Sequence, residues 1–231
     1  MVRLCTIGKS RHKKIWKDKM NSSATNLHKQ RLLAAMAEVI TQKGYAATTV
    51  ADVVAAARVS RRTFYEHFAD KQACFLQCYQ ETSQQTLQAI YHALQQPQHV
   101  QRHWQQQISV GVHVFLACMQ AQPEYMRILY IESLLAGAEG LKVRRQVLNQ
   151  FSQILVMIMQ TARQQYPMIR PLPLLTAVGL VGAINELLLQ AFEQGEFDDL
   201  MRLAEPIEQL LYGVMYSLLK LVPTEMTAPP Q

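Results

Sequence analysis

From Leu32 onward the apolar residues Leu32, Ala35, Met36, Val39 and Ile40 recur at a spacing that places all five on one face of a helix. Gly44 predicts its end, since glycine takes the left-handed backbone that a chain leaving a helix often needs, and Tyr45 can fold back onto the last turn. Thr49 and Asp52 stand three apart, as a capping box requires, and Val50, Val53, Val54 and Ala57 then repeat the helical stripe for roughly two turns. Ser60 predicts a third amino-terminal cap, which leaves Arg58 and Val59 as a very short connection. In the helix after it Phe64 and Phe68 share the buried face, so Arg61, Arg62 and Tyr65 must project away from it. Asp70 caps a fourth, much longer helix from Lys71 to about Leu94.

Further helices are predicted at about 101–120, 124–135, 139–166, 174–194 and 199–221. Pro123, Gly137 with Gly140, the Pro167 to Pro173 stretch and Gly195 separate them, and Pro206 should kink the last segment or mark a restart. No Val/Ile/Thr-rich alternating run suggests a sheet, so the expected class is all-α. Four regions are expected: a disordered basic arm over 1–24, a three-helix helix-turn-helix domain over 25–71, a larger helical regulatory and dimerisation domain over 72–222, and a disordered tail over 223–231. Met1 and Met20 are both possible starts of translation.

Charge changes this picture by its placement. Of the formal net +6, residues 1–20 hold seven basic side chains against Asp18 alone, and 21–71 hold seven against four, while the rest of the chain is mildly acidic. A basic amino-terminal third on an acidic body suits a protein that meets a polyanion at one end. Cys5, Cys74, Cys78 and Cys118 include no C-x-x-C pair, which fits a reducing compartment. The uncharged apolar run at 172–184 is too short to span a bilayer, so a cytoplasmic protein without a membrane segment is expected.

The third predicted helix carries the chemistry. A short helix with an outward basic and aromatic face fits the DNA major groove. Arg61 and Arg62 stand at its start, where either guanidinium can donate twice to guanine, and Thr63, Tyr65 and His67 carry donors suited to phosphates or base edges. Thr49, Ser60 and Lys71 sit at helix starts, where backbone amides attract anions, and are expected to clamp the DNA backbone on either side of the groove.

The string from Thr49 to Lys71, T-V-A-D-V-V-A-A-A-R-V-S-R-R-T-F-Y-E-H-F-A-D-K, resembles the amino-terminal signature of the tetracycline-repressor (TetR) family of regulators. The likeness begins near Leu32, is most specific through S-R-R-T-F-Y-E-H-F-x-D-K, and fades beyond Tyr79, so about a quarter of the chain carries it. Arg58 departs from the family, which often has glycine in the turn; a non-glycine residue at positive φ costs about 1 kcal/mol. The resemblance implies similar roles for the same residues. It also implies a regulator, most often a repressor, that binds double-stranded DNA at a near-palindromic operator as a homodimer and is released by a small-molecule ligand.

The residues themselves point toward a dimer. Leu174, Leu175, Val178, Val181, Ile184, Leu187, Leu188 and Leu189 cover more of a helix than one face needs, and Gly179, Gly182 and Ala183 would permit close approach in a two-fold four-helix interface. A fully buried helix within one subunit is the other reading. Met119, Tyr125, Met126, Tyr130, Met157 and Met159 are candidate ligand-lining residues, and Glu186 is a candidate polar contact, although methionine and aromatic residues at such spacing also suit a core. His99 and His103 lack a nearby carboxylate, so no metal is expected, and no nucleophile elbow, phosphate loop or H-E-x-x-H string suggests an enzyme or a cofactor. Two alternatives stay open at this level: an all-helical interaction protein that keeps the helix-turn-helix only for packing, and a nonspecific nucleic-acid binder acting through the basic arm.

Overall fold

The computed structural model describes residues 8–96, 103–196 and 199–219, with side chains from residue 26 onward except at 135, 165 and 219. Nine α-helices and no strand are found among the described residues: α1 Gly8–Ala47, α2 Val50–Ala57, α3 Arg61–His67, α4 Lys71–Leu94, α5 Trp104–Ala121, α6 Pro123–Leu135, α7 Gly137–Gln165, α8 Leu174–Glu193 and α9 Ala204–Leu219. A short 3-10 turn, Leu200–Leu203, precedes α9. The all-α class follows directly. The tail at 223–231, Cys5, His99 and residues 1–7 of the expected arm lie outside the described residues.

Helix α1 reaches back to Gly8, within the stretch 1–24 expected as a basic arm. No proline lies between Lys9 and Lys43, and the many Lys, Arg, Met and Gln residues there are good helix formers, so a lack of apolar period does not by itself stop a helix. The regular helix breaks at Gly44, whose φ of 79° and ψ of 159° belong to a region that essentially only glycine occupies.

Two compact units divide between Cys78 and Tyr79, inside α4 and seven residues past the boundary expected after Lys71. The first turns of α4 belong with the amino-terminal unit because their side chains pack there. Cys74 and Phe75 are fully buried, the Phe75 ring lies 4.5 Å from that of Tyr45, and the Cys78 thiol donates to the Leu33 carbonyl at 3.5 Å. Around them sit the α1 stripe, with Leu32, Met36 and Ile40 fully buried, Val53, Val54 and Ala57 of α2, and Phe64 of α3. The apolar period read from the sequence is therefore the inward face of this unit.

In the second unit α7 and α8 make the most extensive helix pair, α5 lies along α9, and α6 packs on α7 and α8. Gly140 falls inside the first turn of α7 instead of separating two helices. A Cβ there would come within 2.6 Å of the Ser133 carbonyl oxygen and of the Ala136 Cβ, so glycine is needed for close approach at the α6–α7 turn. Pro206 stands in the first turn of α9, where its missing N–H removes no helical bond, and it marks the restart of the helix after the 3-10 turn. By length and composition α8 could cross a membrane, with a mean hydropathy of 1.6, because the apolar stretch continues past Ile184 with Glu186 as its first charge. One side of it packs against α7, with Ala177, Leu180, Leu188, Ala191 and Phe192 buried, while Leu174 and Leu175 are exposed.

Candidate nucleic-acid interface and cavity

The amino-terminal unit positions α3 by local bonds that the sequence dictates. Thr49 accepts from the Asp52 N–H at 3.3 Å, and the Asp52 carboxylate accepts from the Thr49 N–H at 2.8 Å, a complete capping box. Lys43 pairs with the same carboxylate at 2.6 Å. Hydrogen bonding from Lys43, and then from Thr49, holds the Asp52 carboxyl well below the usual carboxylate range. Arg58 then takes the left-handed conformation, φ 53° and ψ 48°, which reverses the chain between α2 and α3. Ser60 caps α3 by accepting from the Thr63 N–H at 3.0 Å.

Phe64 is fully buried and Phe68 nearly so, which anchors α3 by one side. Arg61, Arg62 and Glu66 are exposed on the other, and Tyr65 is 57% exposed with its ring edge-on to Phe64. The Arg62 Nε meets Glu66 at 3.1 Å, one turn along the helix. Thr63 and His67 are half-buried at the flank of this face. Arg61, Arg62, Tyr65, Thr63 and His67 therefore share one short helix, as the pattern of the two phenylalanines requires.

The three expected clamps differ in what they have left to offer. The Thr49 hydroxyl and N–H both donate to Asp52, so its donors are committed to the cap. Ser60 and Thr63 share a hydrogen bond at 2.9 Å, which keeps one hydroxyl hydrogen of the pair free for another acceptor. The Lys71 ammonium is turned inward: it donates to the carbonyls of Tyr45 and Thr48, each at 2.9 Å, and stands 4.2 Å above the Tyr45 ring. Two of its three hydrogens thus hold the protein together.

The second unit encloses a cavity of about 870 Å³, part of it open to solvent, between α4, α5, α6, α7, α8 and α9. Met119, Met126 and Tyr130 line it. Tyr125, Met157, Met159 and Glu186, the other candidate lining residues, do not. Tyr125 is buried and shares a 3.1 Å hydrogen bond with Thr82, Met159 is fully buried in the core, Met157 is half-buried away from the space, and Glu186 is exposed on the outer side of α8. Asn185, its neighbour, faces the cavity instead. Missed as well were Tyr79, Thr82, Ser83 and Thr86 of α4; small polar residues on a helix face that also carries Leu87 and Ile90 were the available signal.

Burial pushes the Tyr79 phenol up to about 12 and that of Tyr130 higher still, with Arg144 opposing both shifts. Cys74 is likewise raised, first by its bond with Cys78 and then by burial, so neither a thiolate nor an exposed thiol is offered there.

A short helix anchored by two phenylalanines, capped at serine, and presenting arginine and tyrosine outward is the arrangement of a helix-turn-helix. Residues 32–78 match the profile of the bacterial regulatory proteins of the tetR family. That match covers about a fifth of the chain and lies within the amino-terminal unit. Among solved structures it is similar to the fatty acid degradation regulator FadR from Bacillus halodurans, with 19% identity, a TM-score of 0.67, and 80% of this chain and 97% of that one covered. FadR from Bacillus subtilis, solved with stearoyl-CoA, gives 17%, 0.67, and 79% and 96%. A tetR family regulator from Shewanella sp. PV-4 gives 16%, 0.61, and 81% and 97%. At these identities the likeness is one of fold. No curated protein matches the chain.

Proposed function

We propose that this protein is a cytoplasmic repressor that binds a near-palindromic operator as a homodimer and leaves it when a small molecule fills the cavity of the second unit. The observation that carries the reading is the outward face of α3, where Arg61, Arg62 and Tyr65 are exposed while Phe64 on the same helix is fully buried. A groove-reading helix needs that division, whereas a helix kept only for packing does not.

Arg61 and Arg62 read guanine edges, Tyr65, Thr63 and His67 contact phosphates or neighbouring bases, and the helix starts at Thr49 and Ser60 approach the DNA backbone. Lys71 acts mainly by positioning, since its ammonium is engaged at Tyr45 and Thr48. Support for a dimer comes from α8 and α9. Leu174 is 47% exposed, Leu175 82% and Tyr216 44%, and added Cβ atoms at Gly179 and Gly182 would meet nothing, so the face is apolar and open to close approach. Two subunits related by a two-fold axis would read half-sites one or more helical turns apart.

The ligand arm draws on the cavity and on the likeness to FadR, one example of which was solved with stearoyl-CoA. A ligand that binds one subunit arrangement better than the other shifts the population away from the operator-matched form. In vitro selection of genomic fragments with the purified protein tests the reading: it should enrich an inverted repeat. Selection of no common sequence, together with unchanged binding by the Arg61→Ala, Arg62→Ala double variant, would rule out specific reading.

A further inference from the structure

The cavity of the second unit has a narrower chemistry than its size implies. Among the described residues that line it there is no Asp, Glu, Lys, Arg or His. Arg144 influences the phenols of Tyr79 and Tyr130 but is not among the residues facing the space. An ion buried among these residues would give up its hydration with no charged side chain on the wall to pair with, which disfavours carboxylates and ammonium groups in the closed part of the space.

The polar groups at the wall are unequal in what they have left to give. Ser83 donates to the Tyr79 carbonyl at 2.7 Å, and Thr86 donates to the Thr82 carbonyl at 3.1 Å, so each hydroxyl hydrogen is committed within α4. Asn185 is only 8% exposed and donates one amide hydrogen to the Val181 carbonyl at 2.8 Å. Its carbonyl oxygen accepts no hydrogen bond among the described residues. The Tyr130 hydroxyl has no hydrogen-bond partner among the described residues either, and burial keeps it protonated. Asn185 and Tyr130 both line the same largely apolar space, and these two unengaged polar groups are available there to a ligand's polar atom.

We infer that the cavity takes an uncharged, predominantly hydrocarbon ligand bearing a hydroxyl or comparable neutral donor, which donates to the Asn185 Oδ1 and accepts from the Tyr130 hydroxyl. Asn185, and not its charged neighbour Glu186, is the specificity determinant. The inference rests on the cavity being the effector site and adds the ligand's class.

Four probes with the same ten-carbon chain separate the possibilities: decan-1-ol, decane, decanoate and decylammonium, each titrated calorimetrically into the full-length protein near neutral pH. Decan-1-ol should bind roughly tenfold tighter than decane and tighter still than either ion. In Asn185→Leu the alcohol should lose its advantage while decane binding stays. Asn185→Asp, which keeps the shape of the side chain, should favour decylammonium over the alcohol and so serves as a control against loss of folding. Decanoate or decylammonium binding as well as the alcohol to the unchanged protein would overturn the neutral class while leaving the cavity a ligand site. So would an alcohol preference that survives Asn185→Leu. Binding of none of the four would remove the cavity as an effector site for such chains, and the inference with it.

Discussion

The Lys71 ammonium donates to the Thr48 carbonyl oxygen at 2.9 Å, which ties the first residue of α4 to the residue just before the α2 cap. A second bond of equal length reaches Tyr45. Lys71→Met should lower the stability of the amino-terminal unit by about 1–3 kcal/mol, the worth of hydrogen bonds from a charged donor, and should weaken binding to all DNA sequences alike. Urea denaturation measures the first effect. The salt dependence of DNA binding distinguishes positioning from direct phosphate contact: a positioning residue leaves the slope nearly unchanged, whereas a lost phosphate contact reduces it by about one.

Asp52 gives the acid limit of the same unit. Its folded carboxyl is held below the ordinary value of 3.8, so the stability it contributes is fully present above that value and is lost as pH falls toward the folded one. The stability difference between the unchanged protein and Asp52→Asn should therefore be flat from neutral pH down to about pH 5 and shrink at lower pH. Urea midpoints at a series of pH values provide the check, and a difference that grew on acidification would contradict the capping-box assignment.

Arg58 holds the turn before α3 in a left-handed conformation that glycine adopts without penalty. Arg58→Gly should raise stability by up to about 1 kcal/mol, visible as a higher melting temperature, since relief of the strain is partly offset by the greater freedom of glycine in the unfolded chain. A lower melting temperature would mean that the arginine makes a contact worth more than the strain.

On α3 the two arginines are not equivalent, because Arg62 meets Glu66 while Arg61 has no ion pair among the described residues. Arg61→Ala should cost about 1–3 kcal/mol at the selected operator and relax the preference at one base pair. Glu66→Ala removes a carboxylate from the exposed side of α3, proposed to meet DNA, and should strengthen binding to every sequence. Fluorescence anisotropy against operator and scrambled duplexes separates the two effects.

Leu175 is the most exposed of the large apolar side chains described, which makes it the sharpest probe of self-association. Leu175→Glu should shift the protein from dimer to monomer in analytical ultracentrifugation, while its far-ultraviolet dichroism stays helical. A monomeric parent protein would sink the dimer.

What the sequence disclosed and what it withheld have separate physical origins. The boundaries of α2, α3 and α4 were legible because caps at Thr49, Ser60 and Asp70 and the spacing of Phe64 and Phe68 act within a few residues of chain. Gly140 was misjudged as a separator because its role depends on how near Ser133 comes, which no local pattern records. The cavity was legible only in part. Periodicity finds residues that point inward, and Met119, Met126, Met159 and Tyr125 all do, but it cannot say which of them abut empty space and which abut other side chains. Asn185 and Glu186 show the same limit from the polar side. Adjacent helical residues lie roughly 100° apart around the axis, so one reaches the interior while the other meets water.

The lack of ions along the cavity wall separates two responses to the medium. An arginine of α3 bound to DNA would meet a polyelectrolyte whose grip slackens as counterions accumulate, whereas a ligand held by hydrocarbon contact and neutral hydrogen bonds would be nearly indifferent to ionic strength. On the proposed reading, a rise in salt would loosen the protein from DNA while its binding of a neutral ligand stayed nearly the same.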